Sequence, residues 1–242
     1  MNAIGIIPAR YGSTRFPGKP LVSIAGIPLI ERVYRQAVQA DLKKVIVATD
    51  DRRILDLVHS FGGYAVMTGE HQSGTDRVAE AAAHERCSIV VNIQGDEPLI
   101  EPGVINTVAR ALRENRWAAA STAAVRIDSD EEIDNPHAVK VVFAENGSAL
   151  YFSRSRIPFG RSGHPVHYRH LGIYGFRKRF LMRYAALSPS PLEAAESLEQ
   201  LRLLERGYSI HVSVVRYDSQ GVDVPEDVQR VESILNKKSG TG

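Results

Sequence analysis

"IIPARYGSTRFPGKPL", residues 6–21, starts as an apolar run, breaks at Pro8 and becomes a loop carrying Arg10, Arg15 and Lys19 together with Gly12 and Gly18. A short apolar run of this kind reads as a strand. A cationic, glycine-bearing loop at its C-terminal end falls where open α/β sheets bind ligands. Two common phosphate loops are excluded by spelling. A P-loop places four residues between its glycines and ends in Lys-Ser/Thr, whereas Gly12 and Gly18 enclose five and Pro20 follows Lys19; G-x-G-x-x-G is also absent. The loop nevertheless has the parts a triphosphate needs. Its glycines let backbone amides approach phosphate oxygens, Ser13 and Thr14 add hydroxyls, and Arg10 and Lys19 supply charge-assisted bonds.

Outward from this loop, "KVIVATD" (44–50), "YAVMT" (64–68) and "SIVVNIQGDEP" (88–98) read as further strands. They alternate with helical patterns over 28–40, 52–62 and 74–85, the rhythm of βαβ units and a largely parallel sheet. Beyond residue 117 strand-like runs come in closer succession, at 118–127, 138–154 and 169–176, with an Asn-Gly turn in "ENGS" (145–148). That change predicts an antiparallel extension of the sheet. A helix is predicted over 191–207, with Pro191 in its first turn and Gly207 at its end, followed by a strand over 209–217 and a last helix from Pro225. The fold class is therefore α/β, a mostly parallel mixed sheet in a single domain over 1–242.

The 242 residues carry a formal net charge of +2 with 24% charged residues, so no global footprint for nucleic acid or an anionic membrane exists and any anion site is local. No run of about 18 apolar residues predicts a membrane span. The single cysteine, Cys87, rules out an internal disulfide framework and reads as a plain buried residue; with no apolar leader, a cytoplasmic location is expected.

Two acidic positions could serve a metal. "NIQGDEP" (92–98) leaves the central strand at the same sheet edge as the cationic loop and presents Asp96 and Glu97, of which Asp96 is the better placed. Magnesium binds triphosphates through one or two carboxylates plus phosphate oxygens and water, so one aspartate here is not too few. The alternative is a turn aspartate that caps the next helix. Asp223 in "GVDVPEDV" (221–228) reads first as a helix-start acid, and only a partner in space would make it a ligand.

Taken together and in order, "PARYGSTRFPGKPL", "HQSGTDR", "NIQGDEP", "ALYFSRSRIPFGR", "RHLGIYGF", "LEQLR" and "GVDVPEDV" resemble the 3-deoxy-manno-octulosonate (Kdo) cytidylyltransferases over roughly residues 3–235. The first motif indicates acid-sugar cytidylyltransferases in general, and "HQSGTDR" and "RHLGIYGF" narrow the likeness to the Kdo branch. The resemblance implies a Rossmann-like nucleotidyltransferase fold whose antiparallel extension serves sugar binding and dimerisation. It also implies a homodimer that joins CTP and Kdo into CMP-Kdo and pyrophosphate for lipopolysaccharide biosynthesis. Residues 1–117 would then bind mainly CTP, and 118–220 would supply mainly sugar and dimer contacts. Carried over, Arg10, Ser13 and Lys19 hold the triphosphate, Gln72, Ser73 and Arg77 help recognise the nucleotide, and Asp96 and Asp223 bind Mg2+. Gln94, Arg154, Arg161, His170, Tyr174, Glu199 and Gln200 would take the sugar, an anion with many hydroxyls. The spelling "IPFGR" (157–161) also resembles the branch acting on 8-amino-Kdo. An acceptor of that kind, or sialic acid, is one alternative, and a non-catalytic nucleotide-binding module is another.

Overall fold

A computed structural model describes residues 2–12, 15–217 and 220–239. In chain order the strands and helices are β1 (Ala3–Ala9), β2 (Ser23–Ile24), β3 (Ile27–Pro28), α1 (Leu29–Ala37), β4 (Val45–Thr49), α2 (Arg52–Ser60), β5 (Ala65–Met67), α3 (Gly74–Ala83), β6 (Ile89–Asn92) and α4 (Pro102–Glu114). They continue with β7 (Ala120–Ile127), α5 (Asp130–Asp134), β8 (Lys140–Phe143), β9 (Ala149–Ser153), β10 (His167–Arg177), α6 (Lys178–Tyr184), α7 (Pro191–Glu196), α8 (Leu201–Glu205), β11 (Ile210–Val214) and α9 (Pro225–Ser239). Apart from the small β2–β3 hairpin, which has no counterpart in the sequence reading, these strands form one sheet in the order β11-β7-β10-β6-β1-β4-β5, with β8 and β9 branching from β10.

Alternation along β1 explains its apolar run. Ile4 and Ile6 pack into the core on the side of α3, α6 and α8, while Ala3, Ile7 and Ala9 pack into the core on the side of α1, α2, α4 and α9. A strand covered on both faces has no polar face to show. β1 runs parallel to β4 and β6, and β4 parallel to β5. The chain thus proceeds from β1 to one side through β4 and β5 and then returns to place β6 on the other side. The carboxyl ends of β1 and β6 flank the resulting switch point, the crevice in which open α/β sheets take ligands.

The later strands are mixed. β10 runs antiparallel to both β6 and β7, and β8 pairs antiparallel with β9 across the Asn-Gly turn, as read from the sequence. β11, however, joins β7 in parallel. The predicted helix over 191–207 is interrupted: α7 ends at Ser197, whose φ of 51° is left-handed, and α8 starts at Leu201. No helix among the described residues is long and apolar enough to cross a membrane.

Candidate active site

At the switch point lies a cleft of about 260 Å³. The 10–21 loop contributes Arg10, Arg15 and Lys19 to its wall, and the 71–77 segment contributes His71, Gln72, Ser73 and Arg77. Gln94, Asp96 and Asp223 complete it. Eight of the residues read from the sequence therefore stand around one hollow: Arg10, Lys19, Gln72, Ser73, Arg77, Gln94, Asp96 and Asp223. Ser13, with Thr14, lies outside the described residues.

Local chemistry sets each of these groups in place. The loop closes on itself through the Gly18 amide, which donates to the Tyr11 carbonyl at 2.9 Å. Gly18 adopts a left-handed φ of 73°, open to glycine at little cost, and leads into a short 3-10 turn that starts at Lys19. On the facing strand, a Cβ at Gly95 would stand 2.8 Å from the Pro8 carbonyl oxygen, so only glycine lets the exit of β6 pass this close to β1. The Val222 amide then donates to the Asp96 carbonyl at 2.9 Å, tying two segments far apart in sequence. Asp227 accepts from the amides of Asp223 and Val224 at 2.7 and 3.1 Å and so starts α9. The helix-start acid is thus Asp227 rather than Asp223, whose carboxylate faces the cleft.

The two aspartates meet at an ammonium. Lys19 Nζ donates to Asp96 Oδ2 at 2.9 Å, to the Val222 carbonyl at 2.8 Å and to Asp223 Oδ1 at 3.5 Å, while Arg15 reaches Asp223 Oδ1 at 3.3 Å. Glu97 points elsewhere and accepts from the Tyr217 hydroxyl at 3.1 Å. A single protein cation thus sits between two carboxylates of partial exposure, 31% and 52%. These oxygen donors suit a hard divalent ion, and the donor count fits Mg2+ completed by phosphate and water. No group of three or more His, Cys, Asp or Glu side chains able to hold a metal occurs among the described residues. Arg77 lines the same cleft, but its buried guanidinium donates to Asp50 and Thr68, bracing the ends of β4 and β5 against α3. Ser73 caps α3, accepting from the Asp76 amide.

A second cleft of about 220 Å³ shares Gln94 as a wall and is lined by Thr75, His170, Tyr174, Tyr184, Glu199 and Gln200. The Gln94 side-chain amide donates to the Gly172 carbonyl at 2.6 Å, which fixes the partition. The register of β10 shifts between Leu171 and Tyr174, so that His170 pairs with Ala124 and Tyr174 with Thr122. The bulge takes up two residues, an even number, and both rings stay on one face with centroids 5.3 Å apart. Glu199 and Gln200 lie in the non-helical link between Ser197 and α8, and both line the cleft.

This cleft is polar in an unusual way. The Tyr174 hydroxyl, Glu199 Oε1 and Gln200 Nε2 are buried without a hydrogen-bond partner. Such atoms are costly unless something supplies partners. Burial, reinforced by the nearby Arg169 charge, pushes His170 down to about 3, so its imidazole is neutral. The Thr122 hydroxyl lies 3.1 and 2.8 Å from the Leu171 and Ile173 carbonyls and 2.9 Å from His170 Nε2. Its one proton goes to a carbonyl, which assigns the His170 hydrogen to Nε2 and leaves Nδ1 an acceptor. Burial, then the Glu199 charge, raises the Tyr174 phenol, which stays a donor.

Arg154 and Arg161 line neither cleft. Arg154 donates to the carbonyls of Glu196, Pro136 and Ser197 and holds β9 to the end of α7. Arg161 is exposed on the loop before β10. Arg15 and Thr75 line the two clefts as well; both sit inside the motifs "PARYGSTRFPGKPL" and "HQSGTDR", whose spelling alone does not mark them as site residues.

A cationic loop facing paired carboxylates at the switch point of an open sheet, next to a cleft of unsatisfied polar groups, defines a nucleotidyltransferase. Residues 4–210 match the family model described as cytidylyltransferase. The 3-deoxy-manno-octulosonate cytidylyltransferase of Thermodesulfovibrio yellowstonii is 48% identical over 99% of this chain and all of its own length. That of Desulfosudis oleivorans is 50% identical over 97% of this chain and 98% of its own. Among solved structures, a CMP:2-keto-3-deoxy-manno-octonic acid synthetase complexed with CTP superposes with a TM-score of 0.95 at 41% identity, covering 98% of this chain and 100% of that one. The chain belongs to the 3-deoxy-manno-octulosonate cytidylyltransferase family.

Proposed function

We propose that the protein joins CTP and Kdo to give CMP-Kdo and pyrophosphate, activating the sugar for lipopolysaccharide biosynthesis. The observation that carries this reading is the shared wall. Gln94 separates a cleft with cations and paired carboxylates, suited to a triphosphate, from a cleft whose buried donors and acceptors lack partners, suited to a polyhydroxy acid. Residues 1–117 serve mainly the nucleotide and 118–220 mainly the sugar and dimer contacts, with Thr75 and Gln94 crossing that division.

In this reading Arg10 and Lys19 offset the charge of the departing pyrophosphate, and Gln72 and Ser73 contact the nucleotide. Lys19 exchanges its bonds to Asp96 and Asp223 for phosphate oxygens, which frees both carboxylates. Mg2+ held by Asp96 and Asp223 would neutralise the α-phosphate and lower the pKa of the attacking hydroxyl. The Tyr174 hydroxyl donates to sugar oxygens, Glu199 Oε1 and His170 Nδ1 accept from sugar hydroxyls, and the Gln200 amide donates. These contacts set the anomeric oxygen in line with the bond to pyrophosphate; as the new P–O bond forms, that bond breaks and the hydroxyl proton is released. The protein's contribution is mainly orientation and charge.

A homodimer is part of this reading, with contacts in the antiparallel extension. Phe159 is 83% exposed there, Val166 is exposed beside it, and Leu150 lies exposed on β9, which among the described residues pairs only with β8. A cytoplasmic location follows from the CTP requirement and fits the lone cysteine. Incubation with CTP, Mg2+ and a panel of acid sugars, with pyrophosphate as readout, tests the assignment. Kdo is expected to exceed sialic acid in kcat/KM by at least about tenfold. A preference for 8-amino-Kdo would move the acceptor, and no release with any sugar would overturn the function.

A further inference from the structure

Thr75 lies in the first turn of α3, in the segment that walls the nucleotide cleft, yet its side chain faces the other cleft. Its hydroxyl donates to Glu199 Oε2 at 2.9 Å across 124 positions of sequence, and the residue is 4% exposed. A threonine hydroxyl has one proton to give. Spending it on Oε2 leaves the other carboxylate oxygen, Oε1, buried without a partner, alongside the equally unpartnered Tyr174 hydroxyl and Gln200 Nε2.

We propose that Thr75 is a positioning residue for the acceptor: it fixes the Glu199 carboxylate so that Oε1 alone is presented, as an acceptor for a hydroxyl of the sugar. Without that bond, the final torsion of a glutamate is broad and roughly two-fold, and either oxygen could turn toward the cleft or away from it. The main chain of Glu199 is already held by the Tyr184 hydroxyl, which donates to its carbonyl at 3.2 Å, so the carboxylate is the part left to fix. Thr75 touches neither reactant in this scheme. It acts through Glu199, and the inference rests on the second cleft being the acceptor site.

The test is steady-state kinetics on Thr75→Val, Thr75→Ser and Glu199→Gln with CTP and Kdo. Valine keeps the shape of threonine and removes the donor. The expected result is a Kdo KM raised about tenfold in Thr75→Val, the size of one lost charge-assisted bond. The CTP KM should hold within about twofold and kcat within about threefold, with serine restoring the Kdo KM, a pattern that loss of one acceptor contact predicts and general loosening does not. A Kdo KM unchanged in Thr75→Val while Glu199→Gln raises it overturns the role of Thr75 alone. A Kdo KM unchanged in Glu199→Gln overturns the acceptor assignment and this inference with it. A CTP KM rising in step with that for Kdo, or serine behaving like valine, also overturns it. Should Thr75→Val fail to fold, Thr75→Ala supplies the same comparison.

Discussion

Lys19 is shared between Asp96, Asp223 and the Val222 carbonyl, so its removal has two consequences of opposite sign. Lys19→Ala takes a cation from the triphosphate and leaves two carboxylates without their counter-charge. The expected outcome is a CTP KM raised on the order of tenfold, since a charged hydrogen bond contributes about 1.5–3 kcal/mol. In the absence of nucleotide, Mn2+ should bind the variant more tightly than the parent, measured by electron paramagnetic resonance titration. Equal Mn2+ affinity would show that Lys19 does not compete with a cation. Asp96→Asn bears on the same spot from the other side. The amide keeps the shape, loses the charge, and should lower kcat on the order of 10²-fold or more without disturbing the fold, read by pyrophosphate release and circular dichroism.

Among the elements, the α7–α8 break bears most directly on the second cleft, which Leu198, Glu199 and Gln200 line. At the start of α7 the Ser190 amide donates to Glu193 Oε2 at 3.0 Å, and the same Glu193 takes Arg202 of α8 in a pair that is 13% and 9% exposed. Burial opposes the Glu193 charge, but Arg202 and the Ser190 amide outweigh it and hold the carboxyl below its ordinary value. Arg202 also donates to the Leu187 carbonyl at 3.0 Å, so one guanidinium ties α8 to α7 and to the segment ahead of it, bracing the stretch that contains the Ser197 turn. Breaking a buried pair by removing one partner strands the other charge. Glu193→Ala should therefore cost about 3 kcal/mol in urea denaturation, and the slackened turn should raise the KM for Kdo more than that for CTP.

For the molecule as a whole, stability should fall on the acid side. The folded carboxyls of Glu80, Glu193 and Asp227 lie below their ordinary values, so each contributes fully above its unfolded value and is lost as pH drops through the folded one. His170, held neutral down to about 3, and His211, lowered by burial, behave likewise but over a higher window. They begin to cost stability below about pH 6.5, where the unfolded imidazoles bind protons, at up to about 1.4 kcal/mol per pH unit for each. The urea midpoint should decline from near pH 6.5, more steeply below about 4.5. His170→Gln should flatten part of the upper slope, and an unchanged profile would mean that the ring titrates normally in the folded protein.

The alternating apolar runs, the Asn-Gly turn and the order of cationic loop, glycine-aspartate turn and terminal acid were legible in the chain, because strand period, turn chemistry and loop composition are local properties. They gave the parallel half of the sheet and most of the residues that line the switch-point cleft. Three things were decided only by packing. Arg77, read as a nucleotide contact, spends its charge on Asp50 and Thr68. Glu199 and Gln200, read inside one helix, lie instead in the link where that helix breaks and line the second cleft. Asp223, which alone reads as a helix-start acid, leaves that role to Asp227 and is brought to Asp96 by a backbone bond from Val222. Each outcome depends on which of several competing partners a polar group meets, and only the folded arrangement of distant segments settles that competition.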